Sequence, residues 1–446
     1  MPKQTIQQYI VLPPRGLTAG GVLPSTPSVT SFLLSLNKVR MSEKQTAALA
    51  SAKIKTKLQV LDSIGENGAK LVEMSPESVS NLRAEQPGLR VVPVVYYFPA
   101  IAPRPVPAAR PKAAATALKI SLTVVSKSDG KPIGGADVVA FTDFANRVGA
   151  GGKTNSKGLV SLSLGAASKK VERLYIYSEK GFWNVLKKNI ILTTGLTVPM
   201  LPIDLSFTDS LRHFYGNSPD DAGEKVKVGV IDTGIAAHPD LVIDGGENTV
   251  VGEDPQDFGD NGHGHGTHVA GIIAARGAPP SGIRGLAPAV TLRSYRVFGK
   301  NAEGASNFSI AKAVDRAVKD GCHLINMSLG GGPQDEATHS AIADARAAGT
   351  LVFAANGNDD RAPVSFPAAD SLALAVSALG RKGTFPNGTT ETGDVASLSA
   401  KTKRTSSPHS PTSDQRRTLP AQASESFPRS PAVTPCSMGH PWRVQR

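Results

Sequence analysis

The stretch KVKVGVID, from Lys225 to Asp232, is a nearly continuous apolar run that ends on a carboxylate. Such a run is typical of a strand buried on both faces, as the strands of a parallel sheet are. Helical stretches and further strands alternate after it, in the order SIAKAVDRAVKDG, CHLINMSL, DEATHSAIADARAAG and TLVFAA. We therefore predict an α/β domain with a parallel sheet, whose ligands bind at the carboxyl ends of the strands.

The composition of the chain narrows the classes of protein to which it can belong. Its 446 residues, of which 40% are hydrophobic, are enough for two or three packed domains. Two cysteines cannot build a disulfide framework, and no apolar run is long enough to span a membrane. The net charge of +12 would suggest a nucleic acid partner, but half of it lies beyond Ser397, where eight Lys/Arg accompany two Asp/Glu. We expect neither a nucleic acid nor a membrane as a partner.

Changes of pattern divide the chain into five segments. Residues 1–100 mix helical and strand-like stretches and predict a small α/β domain. The Pro- and Ala-rich residues 101–117 predict an extended linker, and the short alternating strands of 118–207 predict a small antiparallel β-sandwich. The parallel-sheet domain occupies residues 208–397. Residues 398–446 are rich in Ser, Pro, Thr and Arg, lack the strand and helix rhythm, and have the composition of a disordered tail.

Two stretches at the predicted strand ends carry groups that could do chemistry. Asp232 precedes Thr-Gly, and a lone aspartate at such a place is often only the cap of the next turn. The stretch NGHGHGTHVAG, residues 261–271, sets three histidines among glycines. These histidines could belong to a Gly-rich surface loop, could bind a metal through their close spacing, or could supply a general base.

Four motifs in one order favour the last alternative. The strings DTG, HGTHVAG, NMSLGG and AANGND follow one another along the chain and resemble the motifs of the subtilisin-like serine proteases, the subtilases. The resemblance runs from Lys225 to Ser397. It implies a subtilisin-like fold and an endopeptidase that hydrolyses polypeptide substrates with an Asp-His-Ser triad.

The resemblance assigns roles to individual side chains. Asp232 corresponds to the carboxylate that orients the base, and His265, the first residue of HGTHVAG, corresponds to the general base. Asn358 corresponds to the amide that donates to the negative oxygen of the tetrahedral intermediate. Gly357 precedes Asn358 as a glycine does in the family's motif, so we prefer Asn358 to Asn356 for this role.

The resemblance also implies how a substrate is held. Ser328, Leu329 and Gly330 match the segment whose backbone pairs with an extended substrate in β fashion. Residues 1–100 resemble a subtilase inhibitory propeptide, which lays its C-terminal strand in the active-site cleft; an unrelated α/β module is the alternative. Residues 118–207 resemble the transthyretin-like or carboxypeptidase-regulatory β-sandwich.

The nucleophile of the triad is missing from the chain as written. Subtilases carry their serine in the string GTSMA, which does not occur here. If the codons of residues 438–446 are regrouped from the third base of each, they can encode GTSMACPA, and the same shift upstream permits VSTVPGGYA and AFSNIGP. We interpret residues 398–446 as the translation of a shifted reading frame that begins near Ser397. The catalytic domain is therefore truncated in the chain as written.

Two functional hypotheses follow. The first is a monomeric subtilisin-family serine endopeptidase with its own propeptide in the cleft, which is inactive and unstable as written because the serine and the last strands are absent. The alternative is a non-catalytic pseudoprotease that acts as a protein-binding module, which requires residues 398–446 to be a selected sequence.

The sequence gives less information about cofactors, metal ions and cellular location. Catalysis by the triad requires no cofactor, although subtilases often bind calcium and Asp240 could serve such a site. The ligands of any metal stay unassigned. Since the first residues lack the long apolar core of a signal peptide, we expect a cytoplasmic or non-classically secreted protein.

Overall fold

A computed structural model gives the fold of the chain. It describes residues 6–18, 58–65, 68–101, 104–109, 119–164, 169–178, 181–359 and 362–393, and the backbone of 405–406. The helices of this part are α1 Pro76–Glu85, α2 Ser210–Tyr215, α3 His265–Ala274, α4 Asn307–Lys319 and α5 Glu336–Ala347. Its strands are β1 Gln7–Leu12, β2 Leu58–Ser63, β3 Lys70–Met74, β4 Arg90–Pro93, β5 Tyr96–Pro99, β6 Lys119–Ser126, β7 Asp137–Asp143, β8 Val148–Lys153, β9 Leu159–Ser163, β10 Lys170–Tyr177, β11 Val185–Ile191, β12 Leu196–Met200, β13 Lys227–Asp232, β14 Ile243–Asn248, β15 Thr291–Arg296, β16 Ala305–Ser306, β17 Leu324–Met327, β18 Leu329–Gly330, β19 Leu351–Ala355, β20 Leu374–Val376, β21 Gly380–Arg381 and β22 Thr405–Ser406.

The N-terminal strands form an antiparallel sheet in the order β2-β3-β1-β4. Successive residues of a strand point to opposite faces, so β1 contributes to two cores. Val11 packs in a hydrophobic cluster with Leu82 of α1, whereas Ile10 and Leu12 belong to the large cluster of the parallel-sheet part. One face of this sheet is therefore covered by its own helix and the other by the remainder of the chain.

Two further sheets lie between residues 119 and 200, in the orders β11-β10-β7-β8 and β12-β6-β9. One hydrophobic cluster contains residues of both sheets, among them Leu122 of β6 and Leu174 of β10. The prediction of a purely antiparallel sandwich is wrong at one pairing, because β12 runs parallel to β6. A parallel pair needs a long crossover connection, and here the chain passes through the other sheet between β6 and β12.

The C-terminal part is built on a parallel sheet of six strands in the order β14-β15-β13-β17-β19-β20. The prediction of an α/β fold with a parallel sheet is thereby confirmed. The helices α4 and α5 end near glycines in the left-handed conformation, Gly321 with φ 74° and Gly349 with φ 89°. Asp335 caps the start of α5, where its side chain accepts a hydrogen bond from Thr338 N at 2.9 Å.

The short strand β5 ties the N-terminal part to the parallel-sheet part. It lies between β16 and β18 and pairs antiparallel with both. Polar contacts accompany it: Lys312 Nζ of α4 lies 2.8 Å from Asp62 Oδ2 of β2, and Leu17 N donates to Asp344 Oδ2 of α5 at 2.7 Å. Because Ile10 lies in the same hydrophobic cluster as residues of α4 and α5, the two parts share one core.

The sandwich contacts both of its neighbours along the chain. Residues 104–109, in the predicted linker, run beside it, and Ala109 forms a parallel bridge with Val148 of β8. On the other side, Leu186 N of β11 donates to Gly388 O at 2.9 Å. The sandwich is therefore held against the last described residues of the parallel-sheet part.

Several predictions concern residues that the structure does not describe. Most of the segment 398–446 lies outside the described residues; only the backbone of Thr405–Ser406 is described, and it pairs antiparallel with β21. Residues 19–57, part of the predicted N-terminal α/β domain, also lie outside them. Within the described part, no helix has both the length and the apolar character that crossing a membrane demands.

The shared core makes a prediction about stability. Ile10→Ala removes a fully buried side chain, at 0% exposure, and leaves a cavity where the N-terminal sheet meets the parallel-sheet part. We expect the free energy of unfolding to fall by about 2–5 kcal/mol, measured by chemical denaturation. The same substitution at Ile191, which is 67% exposed, is the matched control and should change the free energy of unfolding by less than about 0.5 kcal/mol. Equal effects of the two substitutions would contradict a shared core.

Candidate active site

Asp232 is the last residue of β13, in the interior of the parallel sheet. Its strand is flanked by β15 and β17, which run in the same direction, so the carboxyl ends of the three strands meet at one edge. Asp232 is completely buried. A carboxylate can be buried at this edge only if hydrogen-bond donors or positive charge surround it.

Two hydrogen bonds hold one oxygen of this carboxylate. Thr233 N donates to Asp232 Oδ1 at 2.7 Å, and His265 Nδ1 lies 2.7 Å from the same oxygen. The other oxygen, Oδ2, is buried and has no hydrogen-bond partner among the residues that the structure describes. The structure thus brings together the two residues that the sequence pairs, with the imidazole oriented through Nδ1 so that Nε2 is left for a reacting group.

The position of His265 depends on glycines. It is the first residue of α3, after Gly264, whose φ of 80° lies in the left-handed region. A Cβ at Gly266 would lie 2.3 Å from Gly234 O, so only glycine allows α3 to approach the turn after β13 this closely. The close approach places the start of α3 beside Asp232.

Asp260 was not singled out by the sequence analysis, although it organises the loop before α3. Its Oδ2 accepts a hydrogen bond from Thr233 Oγ1 at 2.9 Å, and its Oδ1 accepts from Gly262 N at 2.8 Å and from Gly264 N at 2.9 Å. Thr233 Oγ1 in turn accepts from Gly266 N at 2.9 Å. An acidic residue just before a Gly-rich turn was the available signal, since aspartates often bind backbone amides in turns.

The charge state of His265 follows from its surroundings. Burial of the imidazole lowers the pKa of His265. The carboxylate of Asp232 raises this pKa through its charge and its hydrogen bond, and the charge of Asp260 raises it further. The net result is a pKa of His265 above its ordinary value. The carboxylate therefore stabilises the imidazolium that forms when His265 accepts a proton.

The other two histidines of the block lie in different surroundings. His263 is exposed, and its ring centroid lies 6.4 Å from that of His265. His268 lies within α3 and is partly buried. No group of three or more His, Cys, Asp or Glu side chains in the described part of the chain is arranged to hold a metal ion.

The neighbourhood of Asp240 bears on the expectation of calcium. Its Oδ2 accepts a hydrogen bond from Ile283 N at 2.8 Å, and its carboxylate fills the space that a Cβ would take at Gly277 and at Gly282. Calcium takes six to eight oxygen ligands, whereas this carboxylate faces an N–H donor and glycine backbone. The described residues around Asp240 therefore do not fit a calcium site.

The segment from Ser328 to Gly330 holds an extended chain, and that chain is the protein's own β5. Ala100 N donates to Ser328 O at 2.8 Å, while Leu329 pairs with Pro99 and Gly330 with Phe98 in antiparallel register. On its other side β5 pairs with β16. These three residues pair here with a strand of the protein's own chain, and their binding of a substrate stays a prediction.

The two asparagines of AANGND occupy different environments. Asn356 is buried, and its backbone bonds both to Val376 O, through its N at 3.0 Å, and to Ser365 N, through its O at 2.9 Å. Asn358 lies two residues on, partly exposed, after Gly357 with φ 110°. Asn358 thus has the more accessible side chain of the two, beyond the carboxyl end of β19.

Two buried polar residues beside β5 were missed by the sequence analysis. Asn307 N donates to Val95 O at 2.9 Å, and Asn307 Oδ1 accepts from Val95 N at 3.2 Å. Asp335, the cap of α5, accepts a hydrogen bond from the hydroxyl of Tyr97. Asp335 is the cap of α5, and Asn307 directly follows Ser306, the cap of α4, so the sequence alone offered a structural explanation for both.

The pair Asp232 and His265 makes a prediction about protonation. In Asp232→Asn the favourable interaction with the imidazolium is lost while burial remains, so the pKa of His265 should fall. A nitrogen NMR titration of the full chain measures it, with the exposed His213 as an internal reference. An unchanged pKa of His265 would contradict the assignment of Asp232 as its electrostatic partner.

Comparison with known proteins agrees with this geometry. Residues 223–425 match the Subtilase family. Subtilisin BL of Lederbergia lenta is 42% identical over 156 residues, which are 35% of this chain and 56% of the relative. A thermostable alkaline protease of Halalkalibacterium halodurans is 37% identical over 202 residues, or 44% of this chain and 52% of the relative. Subtilisin DY of Bacillus licheniformis is 40% identical over 163 residues, or 35% and 57%.

The matches cover only part of each protein, but they include the predicted site residues. The chain spans about half the length of the curated relatives it matches. The family match begins before β13 and continues past Ser397 into the segment with the altered composition. It contains Asp232, His265, the segment from Ser328 to Gly330, and Asn358. With its parallel sheet and these motifs, this part of the chain is similar to the subtilases, the family of subtilisin-like serine proteases.

Proposed function

We propose that the protein is a serine endopeptidase that cuts extended polypeptides, and that the chain as written lacks its nucleophile. The observation that carries the proposal is the buried hydrogen bond between Asp232 and His265, at the edge of the parallel sheet where β17 ends and leads into β18, which pairs with the extended strand β5. A carboxylate, an imidazole and a backbone docking edge are three parts of the machinery that acyl transfer from a peptide bond requires.

In the proposed reaction, His265 takes the proton of a serine hydroxyl through Nε2 while Asp232 stabilises the resulting imidazolium through Nδ1. The serine oxygen then attacks the scissile carbonyl, and Asn358 donates to the oxygen that becomes negative. The proton passes from His265 to the leaving amine, and water hydrolyses the acyl-enzyme. These steps need only side-chain groups, so we propose that no cofactor takes part.

We propose further that residues 1–100 are an inhibitory propeptide and that the bond between Ala100 and Ile101 is cut. The pairing along β5 supports this, because Ala100 N still donates to Ser328 O at 2.8 Å, whereas Ile101 N turns back to Pro99 O at 2.7 Å. The extended, substrate-like conformation thus ends at Ala100. The contact of Lys312 with Asp62 and the shared core would keep the cut propeptide bound.

The missing serine has a genetic explanation. A shift of one frame near Ser397 permits GTSMA from the codons of residues 438–446, together with two further family-like strings upstream in the same frame. A long ordered run in one constant frame is hard to obtain by chance. We propose that correcting the frame restores the nucleophile and the remaining strands of the domain.

Sequencing the gene from the codon of Thr390 through the present stop tests this proposal first. An inserted or deleted base near Ser397, with GTSMA in the corrected frame, is the expected result. An unbroken frame identical to the present sequence would contradict it and would favour a catalytically dead binding protein.

The frame-restored chain should cut itself and other polypeptides. We expect mass spectrometry to find a new N-terminus at Ile101, and casein hydrolysis to fall by about 10⁶-fold in His265→Ala, since removing the base disables the triad as a unit. His263→Ala, which changes an exposed histidine of the same loop, is the control and should retain activity. Because the base must be neutral and its pKa is raised, activity should be lost as the pH falls through that raised value. Equal activity of His265→Ala and the frame-restored parent would contradict the mechanism.

Asn358 should act on the rate of the chemical step. In the frame-restored chain, Asn358→Ala is expected to lower kcat by about 10²–10³-fold with little change in KM, because its amide acts on charge that develops in the transition state. Steady-state kinetics on a peptide substrate measure both constants. The control is Asp359→Ala, at an exposed neighbouring position. A loss confined to KM would assign Asn358 to substrate binding instead.

A further inference from the structure

We propose that Asp335 makes the cleft selective for tyrosine at the fourth residue counted back from the cut bond. The inference rests on the proposed function, and it names the substrate class: polypeptides whose tyrosine hydroxyl reaches a carboxylate at the floor of the cleft. Tyr97 occupies this position in the protein's own β5, since it lies three residues before Ala100.

Tyr97 alone among the aromatic residues of β5 is inserted into the protein. It is 0% exposed, whereas its neighbours Tyr96 and Phe98 are 52% and 46% exposed. Alternate residues of a strand point to opposite sides, so a bound strand directs every second side chain into the protein. The depth of burial singles out the position of Tyr97 as the one where this part of the cleft can select a side chain.

The walls of the pocket around Tyr97 fit an aromatic ring. Its centroid lies 5.9 Å from that of Phe366. A Cβ at Gly332 would lie 2.5 Å from Cε1 of the tyrosine, so any other residue at Gly332 would intrude on the ring. Tyr97 also shares a hydrophobic cluster with Leu329 and Phe308. These contacts would accept phenylalanine and tyrosine alike, so they explain the size of the accepted side chain and not its hydroxyl group.

The floor of the pocket is polar. The hydroxyl of Tyr97 lies within hydrogen-bond distance of Asp335 Oδ2, and 2.6 Å from Pro333 O. Its one proton can serve one acceptor at a time, and the carboxylate is the stronger acceptor. Burial and the neighbouring Asp335 raise the pKa of Tyr97, so the hydroxyl keeps its proton and donates.

Asp335 is held in place before any tyrosine arrives. Its Oδ1 accepts hydrogen bonds from Thr338 N at 2.9 Å and from Asn307 Nδ2 at 3.1 Å, both within the parallel-sheet part. These bonds fix the carboxylate through one oxygen and aim the other, Oδ2, at the pocket. A preorganised acceptor of this kind distinguishes a side chain with a donor from one without it.

Phenylalanine at this position would fill the same walls but leave Asp335 Oδ2 buried without its donor. The loss of a hydrogen bond to a charged group in a closed pocket corresponds to about a tenfold or greater difference in binding. The pocket should therefore reject phenylalanine by that factor, even though the two rings have the same shape.

A competition assay tests the inference in the frame-restored chain. The peptide PVVYYFPAIAPR, residues 93–104, is mixed with a version that has Phe at the position of Tyr97, and the ratio of the two kcat/KM values is measured from one reaction. We expect a ratio of about ten or more in favour of tyrosine. Phe at the position of Tyr96 is the control peptide and should give a ratio near one. A ratio near one for both peptides would overturn the inference.

A variant locates the selectivity at Asp335. Asp335→Ser retains a residue that can cap α5 but is too short to reach the hydroxyl, so the tyrosine-to-phenylalanine ratio should fall to near one. Glu336→Gln alters the adjacent acidic residue, whose side chain is 58% exposed, and should leave the ratio unchanged. A ratio that persists in Asp335→Ser would overturn the assignment.

Hydrogen exchange on the chain as written gives a test that needs no catalysis. Tyr97→Phe should speed exchange of the Ala100 amide by about tenfold or more, because β5 loses its anchor, whereas Tyr96→Phe should not. In an Asp335→Ser background, Tyr97→Phe should add nothing further. If the frame-restored chain cuts no peptide, the proposed function fails. The comparison of these single and double variants still decides whether Asp335 binds the hydroxyl of Tyr97. Equal exchange in the Tyr97→Phe and Tyr96→Phe variants would overturn the inference.

Discussion

A carboxylate with no exposed surface is the constraint around which the C-terminal part of this protein is arranged. Asp232 sits at the end of β13 because the apolar run before it must be buried between neighbouring strands. Once buried, it requires donors, and the chain supplies Thr233 N and the imidazole of His265. The glycines at the start of α3 allow that helix to approach the turn after β13 closely. This approach brings the imidazole of His265 to the buried carboxylate.

Hydrophobic packing and backbone hydrogen bonds attach the N-terminal part to the parallel-sheet part that carries this site. Ile10 and Leu12 extend the hydrophobic cluster of the parallel-sheet part, and β5 completes a small sheet whose outer strands are β16 and β18. An exposed strand edge with free N–H and C=O groups attracts an extended chain, and here it holds a covalently attached one. Docking of the N-terminal sheet places β5 against β18, which follows β17 at the edge of the sheet where Asp232 lies, so the fold of one part bears on the chemistry proposed for the other.

In the proposed function, specificity and reactivity depend on different residues. The backbone of Ser328 and Leu329 pairs with β5 through amides and carbonyls, which are common to all residues, so in the proposed function this pairing would not select among extended peptides. Asp335 contacts a single hydroxyl, so it can discriminate, and it is fixed by the helix that it caps. A residue to which the sequence assigns only the role of a helix cap therefore acquires a second role from the side chain that reaches it.

The sequence by itself determined the parallel sheet and the approximate extents of α4 and α5, because apolar runs and terminal glycines are local signals, while the pairing of Asp232 with His265 followed from the resemblance of the ordered motifs to those of a family. It also located the edge from Ser328 to Gly330. It could not determine that β12 runs parallel to β6, that Asp260 organises the loop before α3, or that Asp335 faces Tyr97. Those contacts join residues far apart in the chain or recruit an ordinary turn or cap residue, and only the tertiary structure decides which of many equivalent polar residues are brought within hydrogen-bond distance.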